Sequence, residues 1–286
     1  MIPAASDPRA EGEEGTLGGV RGIRIRYRTW LPERAPDGVV IIAHGFAEHG
    51  GRYQRVAGRL LAEGLAVRAA DHRGHGRSEG KRTSVVRFDD YVDDLAAVIV
   101  GAREQWHSVP LILLGHSMGG LIALSLAVRA HPPIDALVLS APAACPRDVS
   151  RLTLTMGRAL SRVAPNVGVL RLPLNRISRD PAVVDAYNSD PLVFRTPLRA
   201  RLGAEWMATI DRVESALPSL RVPLLVMQGT ADGLVDPGCG PHVYDRAGSS
   251  DKTLKMYDGL WHEIFNEPER EHVLDDLVAW MRAHLS

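Results

Sequence analysis

Residues 113–120 read LLGHSMGG, a serine held between glycines at the end of an apolar run. The apolar residues Pro110–Leu114 predict a buried strand, and the small and apolar residues Gly119–Ala130 predict a buried helix directly behind it. A serine at the tip of such a turn lies in a strained backbone conformation, which flanking glycines make sterically feasible. We therefore expect the Ser117 hydroxyl to be presented above the edge of a sheet. The alternative is a turn serine that only caps the helix.

Strand and helix signals alternate on both sides of this turn. Alternation at this spacing favours an α/β fold with a mostly parallel sheet covered by helices on both faces. The alternating apolar and polar residues of Val20–Trp30 instead predict an antiparallel hairpin at one edge. The expected strands are 39–43, 65–70, 110–114, 136–140, 223–228, 243–247 and 253–257, and the expected helices are 52–63, 89–106, 119–130 and 268–285.

The alternation is interrupted between residues 143 and 218. This segment has no long β-branched run, and its apolar residues recur at helical spacing, as at Leu152, Met156, Leu160 and Val163. We interpret 143–218 as a helical cap inserted into a core formed by 16–142 and 219–286. Residues 1–15 contain no apolar stretch behind a basic start and are interpreted as a flexible leader without a secretory signal.

The amino-acid composition limits the kinds of partner and compartment that we expect for this chain. The chain has 286 residues, 34 Lys plus Arg and 34 Asp plus Glu, so its formal net charge is zero and nothing favours nucleic acid binding. No window approaches the roughly 18 apolar residues of a membrane span, so lipid contact would be peripheral. Cys145 and Cys239 lie far apart and outside any metal-spaced cluster, which favours a reducing compartment, the cytoplasm. We expect neither a metal nor an organic cofactor.

A serine hydroxyl is a poor nucleophile unless a base, an acid that orients the base, and donors to the developing oxyanion surround it. In a parallel α/β sheet these groups come from loops at the carboxyl ends of strands. Asp232 follows the expected strand 223–228, and His262 follows the strand 253–257. Asp236 is the rival acid, although its place before Pro237 is more typical of a turn or a helix start. The predicted triad is therefore Ser117, Asp232 and His262.

The oxyanion donors should be two backbone N–H groups. One is that of Met118, directly after the nucleophile, and the other is that of Phe46 in the loop after the strand 39–43. The preceding His44 and Gly45 could equally be read as a strand terminator with a packed histidine.

Six segments together resemble a known family: HGFAEHGGRY, DHRGHGRSEGKR, GHSMGG, ISRDPAVVDAYNSDPLV, QGTADGLVDP and GLWHEIFNEPER. They are similar to the bacterial monoacylglycerol lipases of the α/β-hydrolase fold, over about Gly22 to the C-terminus and including the cap. The resemblance implies a serine hydrolase that cleaves monoacylglycerols to glycerol and fatty acid through an acyl-enzyme, with the same triad and oxyanion donors. A lysophospholipase, a general carboxylesterase or a serine peptidase would share these residues. One departure is Ala47, where the family commonly has glycine.

The acyl chain of such a substrate needs an apolar site. Each buried methylene contributes roughly 0.8 kcal/mol, so a long chain can bind without polar contacts. Apolar residues of the expected cap could line a tunnel, face a lipid surface, or simply pack the cap onto the core. They are Leu152, Leu154, Met156, Leu160, Val163, Val167 and Leu170.

Overall fold

The structure, a computed structural model, describes residues 12–130, 132–145 and 151–285. Its strands are β1 (Glu13–Gly18), β2 (Arg24–Trp30), β3 (Gly38–Ala43), β4 (Leu65–Ala70), β5 (Leu111–His116), β6 (Ala136–Ser140), β7 (Gly168–Leu170), β8 (Leu198–Arg199), β9 (Leu224–Gly229) and β10 (Lys252–Tyr257). Eight of them form one sheet in the order β1-β2-β4-β3-β5-β6-β9-β10. β2 pairs antiparallel with β1 and β4, and the pairings from β4 through β10 are parallel.

Helices cover both faces of this sheet. They are α1 (Gln54–Ala62), α2 (Asp89–Gln105), α3 (Met118–Ala130), α4 (Arg151–Val163), α5 (Pro181–Ser189), α6 (Ala200–Ala216), α7 (Cys239–Arg246) and α8 (Arg270–Arg282). Helices α2, α3, α6 and α7 contribute to the core on one face, and α1 and α8 contribute to the core on the other. The expected α/β-hydrolase architecture is confirmed.

Strand β3 illustrates why the central strands are apolar throughout. Val39 and Ile41 point into the core on the α2 and α3 side, whereas Val40 and Ile42 point into the core on the α1 and α8 side. All four side chains are fully buried. A strand buried on both faces reads as a continuous apolar run. The β1–β2 hairpin, by contrast, keeps partly exposed residues, as expected for an edge.

The segment between β6 and β9 contains α4, α5, α6 and the small β7–β8 sheet. Two hydrogen bonds join it to the loop after β3. The Phe194 N–H donates to the Ala47 carbonyl at 2.9 Å, and His49 Nε2 lies 2.8 Å from a carboxylate oxygen of Asp190. These contacts join the inserted segment to the loop that follows a central strand, and the division into a core and a cap of residues 143–218 stays a prediction.

Two expectations about local structure need correction. Residues 243–247 are not a strand, because Val243 lies within helix α7, where it shares a buried face with Cys239 four residues earlier. A run of five residues is too short to separate the two periodicities. Strand β1 begins at Glu13, inside the expected leader of residues 1–15, and pairs with β2. Residues 1–11 lie outside the described ranges.

Cys145 and Cys239 form a disulfide, with their Cα atoms 5.4 Å apart and a sequence separation of 94 residues. The bond joins the start of the cap to the first residue of α7. The two cysteines therefore no longer argue for a reducing compartment, where disulfides are rare. In the parts of the chain that the structure describes, no helix has both the length and the apolar character to cross a membrane.

Candidate active site

Ser117 lies in the sharp turn between β5 and α3, as expected, with a positive φ of 54°. This conformation is unfavourable for a residue with a Cβ atom. Two hydrogen bonds hold it: the Ser117 N–H donates to the Ser140 carbonyl at 3.0 Å, and the Ala143 N–H donates to the Ser117 carbonyl at 3.0 Å. A Cβ atom on Gly119 would lie 2.0 Å from the Ala43 carbonyl oxygen, so only glycine allows the turn to pack against β3.

Asp232 follows β9 and is buried. One carboxylate oxygen accepts hydrogen bonds from the N–H groups of Leu234 and Val235, at 2.8 and 3.0 Å. The other accepts from the Gln228 amide at 3.0 Å and lies 2.7 Å from Nδ1 of His262. Burial alone would raise the pKa of Asp232, but the charge and hydrogen bond of His262 and the two backbone donors lower it overall. Asp232 is therefore an ionised hydrogen-bond acceptor.

His262 follows β10 and is also buried. Because the ionised Asp232 can only accept, Nδ1 of His262 must carry the proton that they share. This tautomer leaves Nε2 unprotonated, as a base requires. The ring lies beside that of His116, the residue before Ser117, with 4.7 Å between the ring centroids. Loops after β5, β9 and β10 thus meet in one place.

The remaining link is between serine and histidine. In this structure the Ser117 hydroxyl and Nε2 of His262 are not hydrogen bonded to each other. Catalytic hydrogen bonds are often long in the resting state and tighten when substrate binds.

Asp236, the rival acid, has a different role. Its carboxylate accepts a hydrogen bond from the Gly238 N–H at 2.8 Å, and its carbonyl accepts one from the Cys239 N–H. These contacts place Asp236 in the turn that begins α7. Asp232, and not Asp236, contacts His262.

One expected oxyanion donor directly follows Ser117, and the other directly follows Gly45, which packs against the Ser117 side chain. Met118 is the first residue of α3, and Phe46 lies in the loop after β3. Among the described residues, neither backbone N–H donates a hydrogen bond to a backbone or side-chain acceptor. The N–H of Gly45, directly before Phe46, is instead bonded to the Glu48 carboxylate at 2.6 Å. The structure thus gives neither N–H a competing acceptor in the part of the chain that it describes, and the role of both as oxyanion donors stays a prediction.

Ala47 adopts a left-handed conformation with φ of 70° and is fully buried. This explains why glycine is common at the position in the resembled family, since glycine reaches this region without a steric penalty. In this chain the alanine keeps the conformation, and its carbonyl accepts the hydrogen bond from Phe194 of the cap. His44 is a packed strand terminator: its Nδ1 lies 2.7 Å from the Gly45 carbonyl.

Three charged residues beside the site were not singled out from the sequence. Arg52 lies between Glu48 and Glu263 and is ion paired with both. Glu48 and Arg52 are four residues apart, but Glu48 lies in the loop before the short 3-10 helix Gly50–Tyr53 that contains Arg52, so the helical pairing rule does not predict their contact. Arg52 and Glu263 are 211 residues apart, and no local pattern indicates their contact.

Comparison with known proteins adds to this geometry. The model of the Hydrolase_4 family, described as serine aminopeptidase, S33, matches residues 34–269. A monoacylglycerol lipase of Mycolicibacterium smegmatis is 41% identical over 273 residues, covering 95% of this chain and 98% of that lipase. A monoglyceride lipase of Mus musculus is 36% identical over 290 residues, covering 98% of this chain and 96% of that lipase.

Among solved structures, the crystal structure of a monoacylglycerol lipase from Paleococcus ferrophilus has a TM-score of 0.77 and 28% identity to this chain. The match covers 95% of this chain and 98% of that structure. These similarities extend over the α/β core and the inserted segment alike.

Proposed function

This chain belongs to the Hydrolase_4 family of α/β hydrolases, and we propose that it is a monoacylglycerol lipase, which cleaves its substrate to glycerol and a fatty acid through an acyl-enzyme. The observation that carries the proposal is the 2.7 Å contact between Asp232 and Nδ1 of His262, at the strand ends next to the strained Ser117 turn. The lipases named among the relatives support the substrate class.

In the first half of the reaction the Ser117 oxygen attacks the ester carbonyl carbon and its proton passes to Nε2 of His262. The negative charge that develops on the carbonyl oxygen is stabilised by the N–H groups of Met118 and Phe46. The tetrahedral intermediate then collapses. The bond to the glycerol oxygen breaks, and that oxygen takes the proton from His262. Asp232 stabilises the imidazolium that exists in between.

In the second half, water replaces glycerol. His262 accepts a proton from the water molecule as its oxygen attacks the acyl carbonyl, and the Ser117 oxygen leaves with that proton. The products are a fatty acid and the regenerated serine. The chemistry needs only this set of side chains and backbone donors, with no oxidant, reductant or metal.

The exposed side of the cap supports a role in contacting lipid surfaces. Met156, Val163, Val167 and Leu170 are 63%, 82%, 48% and 45% exposed. Side chains that line an acyl tunnel would be buried, so these four are better suited to a lipid surface, where their exposed area would be removed from water. The side chains of Leu152 and Leu154 lie outside the described residues.

A substrate panel tests the proposal. Purified protein is assayed with monoacylglycerols, diacylglycerols, lysophospholipids and aminoacyl amides, and fatty acid or amine release is measured. We expect monoacylglycerols to have the highest kcat/KM and Ser117→Ala to abolish their hydrolysis. Ser125→Ala, in the helix α3 that follows Ser117 and about two turns further along, is the matched control and should keep full activity. Faster turnover of lysophospholipids or amides would replace the proposed substrate, and activity in Ser117→Ala would exclude the nucleophile.

A further inference from the structure

Arg52 sits at the centre of a buried ionic network beside the proposed triad. One guanidinium nitrogen lies 2.5 Å from the Glu48 carboxylate and 2.6 Å from the Glu263 carboxylate. A second guanidinium nitrogen donates to the other Glu263 oxygen at 2.8 Å, so the contact with Glu263 is bidentate. The three side chains are only 12%, 5% and 6% exposed. A single cation thus joins two carboxylates from distant parts of the chain.

At one end, the network holds the oxyanion loop. The Glu48 oxygen that does not face Arg52 accepts hydrogen bonds from the Gly45 N–H at 2.6 Å and the Tyr53 hydroxyl at 2.9 Å. Gly45 packs so tightly that a Cβ atom on it would lie 3.3 Å from Cβ of Ser117. Glu48 therefore holds the N–H of Gly45, one residue before Phe46, whose own N–H is the proposed donor to the oxyanion.

At the other end, the network holds the loop of the base. Glu263 directly follows His262, and its carboxylate also accepts from the Asn266 amide at 2.8 Å. The Glu263 backbone N–H donates to the Ile177 carbonyl of the cap at 2.8 Å. Backbone and side chain of this one residue are thus both anchored, which leaves His262 little freedom to shift.

A gain in folding stability does not explain why these three charges are buried together. Removing three charges from water costs several kcal/mol for each ion, and an apolar cluster of the same volume is often as stable or more so. The cavity that the network lines has a volume of about 10 Å³, enough for one water molecule and too small for a ligand. A directional link between two loops is the role that buried ion pairs perform and apolar contacts do not.

We propose that Arg52 is a positioning residue, which holds the oxyanion loop, through Glu48, in register with the loop of the base, through Glu263. The proposal rests on the proposed function, because it assigns Phe46 and His262 their roles there. The Phe46 N–H acts on the oxyanion of the tetrahedral intermediate, and His262 transfers the protons of the attacking and leaving oxygens on the same carbon. Losing their register therefore lowers the rate of acylation while leaving ground-state binding largely intact.

The decisive variant is Arg52→Met/Glu263→Gln. The wild-type network carries two negative charges and one positive charge, and this double variant carries only the negative charge of Glu48. The net charge of the site is −1 in both proteins, so the comparison reports the lost link and not a changed field. Arg52→Met alone leaves Glu263 buried without its partner and should be markedly less stable than the double variant. Where that single variant does not fold, the double variant is compared directly with wild type.

We expect the double variant to hydrolyse a short-chain nitrophenyl ester with kcat lowered roughly 10-fold to 100-fold and KM within about threefold of wild type. The rate of labelling by a fluorophosphonate should fall by a similar factor. The melting temperature should recover above that of Arg52→Met while kcat stays low. Recovery of kcat together with stability, or a double variant as active as wild type, would overturn the proposal.

The matched control is Arg59→Met/Glu63→Gln, which removes an ion pair at the C-terminal end of α1, where both side chains also pair with residues of α8 and not with either loop. This control should react with the fluorophosphonate and hydrolyse the nitrophenyl ester at wild-type rates. A loss of kcat similar to that of the double variant would also overturn the proposal. Peptide mapping distinguishes a failure of the proposed function from a failure of the role proposed for Arg52. Fluorophosphonate on a residue other than Ser117 in wild type refutes the proposed function itself. Label on Ser117 at equal rates in wild type and the double variant refutes only the role of Arg52.

Discussion

Breaking the disulfide between Cys145 and Cys239 should cost this protein a large part of its stability. The bond closes a loop with a sequence separation of 94 residues, which contains the expected cap from residue 145 onward and Asp232. Restricting a loop of that length in the unfolded chain stabilises the folded state by about 4.7 kcal/mol at 25 °C. For a chain of 286 residues, whose unfolding entropy at the midpoint scales with length, this corresponds to a melting temperature lowered by about 8 °C.

The assay compares melting temperatures by calorimetry with and without a thiol reductant, and counts free thiols by mass spectrometry after alkylation. Cys145→Ala is the matched variant, because it removes the bond and leaves Cys239 in its buried place. It should melt about as low as the reduced wild type and should not respond to the reductant. The reasoning would be refuted if the wild-type protein has two free thiols after reduction and melts at the same temperature as the unreduced protein.

Three further predictions concern the site, the buried histidines and the cap. Asp232→Asn should lower kcat by about four orders of magnitude with little change in fold, because the amide no longer selects the tautomer that leaves Nε2 of His262 free; a loss below tenfold would be contrary to this account. Burial lowers the pKa of His72 to about 3 and the pKa values of His75 and His116 to about 4, from an ordinary value of 6.5. Between pH 6.5 and 4 the unfolded state therefore binds protons that the folded state does not, so the free energy of unfolding should fall as the pH is lowered through this range; denaturant titrations that give equal stability at pH 6.5 and 4.5 would contradict it. Val163→Asp should reduce hydrolysis of monoacylglycerol presented in vesicles several-fold and leave a soluble short-chain ester unaffected, and equal losses on both substrates would exclude surface contact as the cause.

The parts of the fold that the sequence could predict are those determined by local pattern. The turn at Ser117 follows from a run of apolar residues, a serine between glycines and a second apolar run, all within about 20 residues. The order of strands and helices follows in the same way. The sequence favours Asp232 over Asp236 because Asp232 comes directly after a strand, and Asp232 is the residue that contacts His262.

The features that could not be predicted depend on contacts between distant residues or on short segments. Cys145 and Cys239 looked unrelated because their separation is 94 residues, and only the folded chain brings the base of the cap to the start of α7. The pairing of Arg52 with Glu263 is hidden for the same reason. The error at residues 243–247 has a different cause, since Val243 in a short apolar run is compatible with either a strand or a helix.

The cap illustrates a third limit. Helical spacing identified the inserted segment, but spacing alone does not reveal what a helix face contacts. Met156 and Val163 belong to the same apolar set as Leu160, yet the first two are largely exposed and Leu160 is partly buried. Which apolar residues meet the core, and which remain available to a lipid surface, is decided by the packing of the whole insertion.

The most direct test of the account is to catch the acyl group on the enzyme. Turnover of a nitrophenyl ester by the wild-type protein is stopped with acid within the first catalytic cycle. The protein is then digested, and the masses of its peptides are measured by mass spectrometry. The account predicts one peptide heavier by the acyl group, the one that contains GHSMGG, with the group on Ser117, and none in Ser117→Ala. An acyl group on another residue, or steady turnover with no acylated peptide in a rapid quench series, would contradict it.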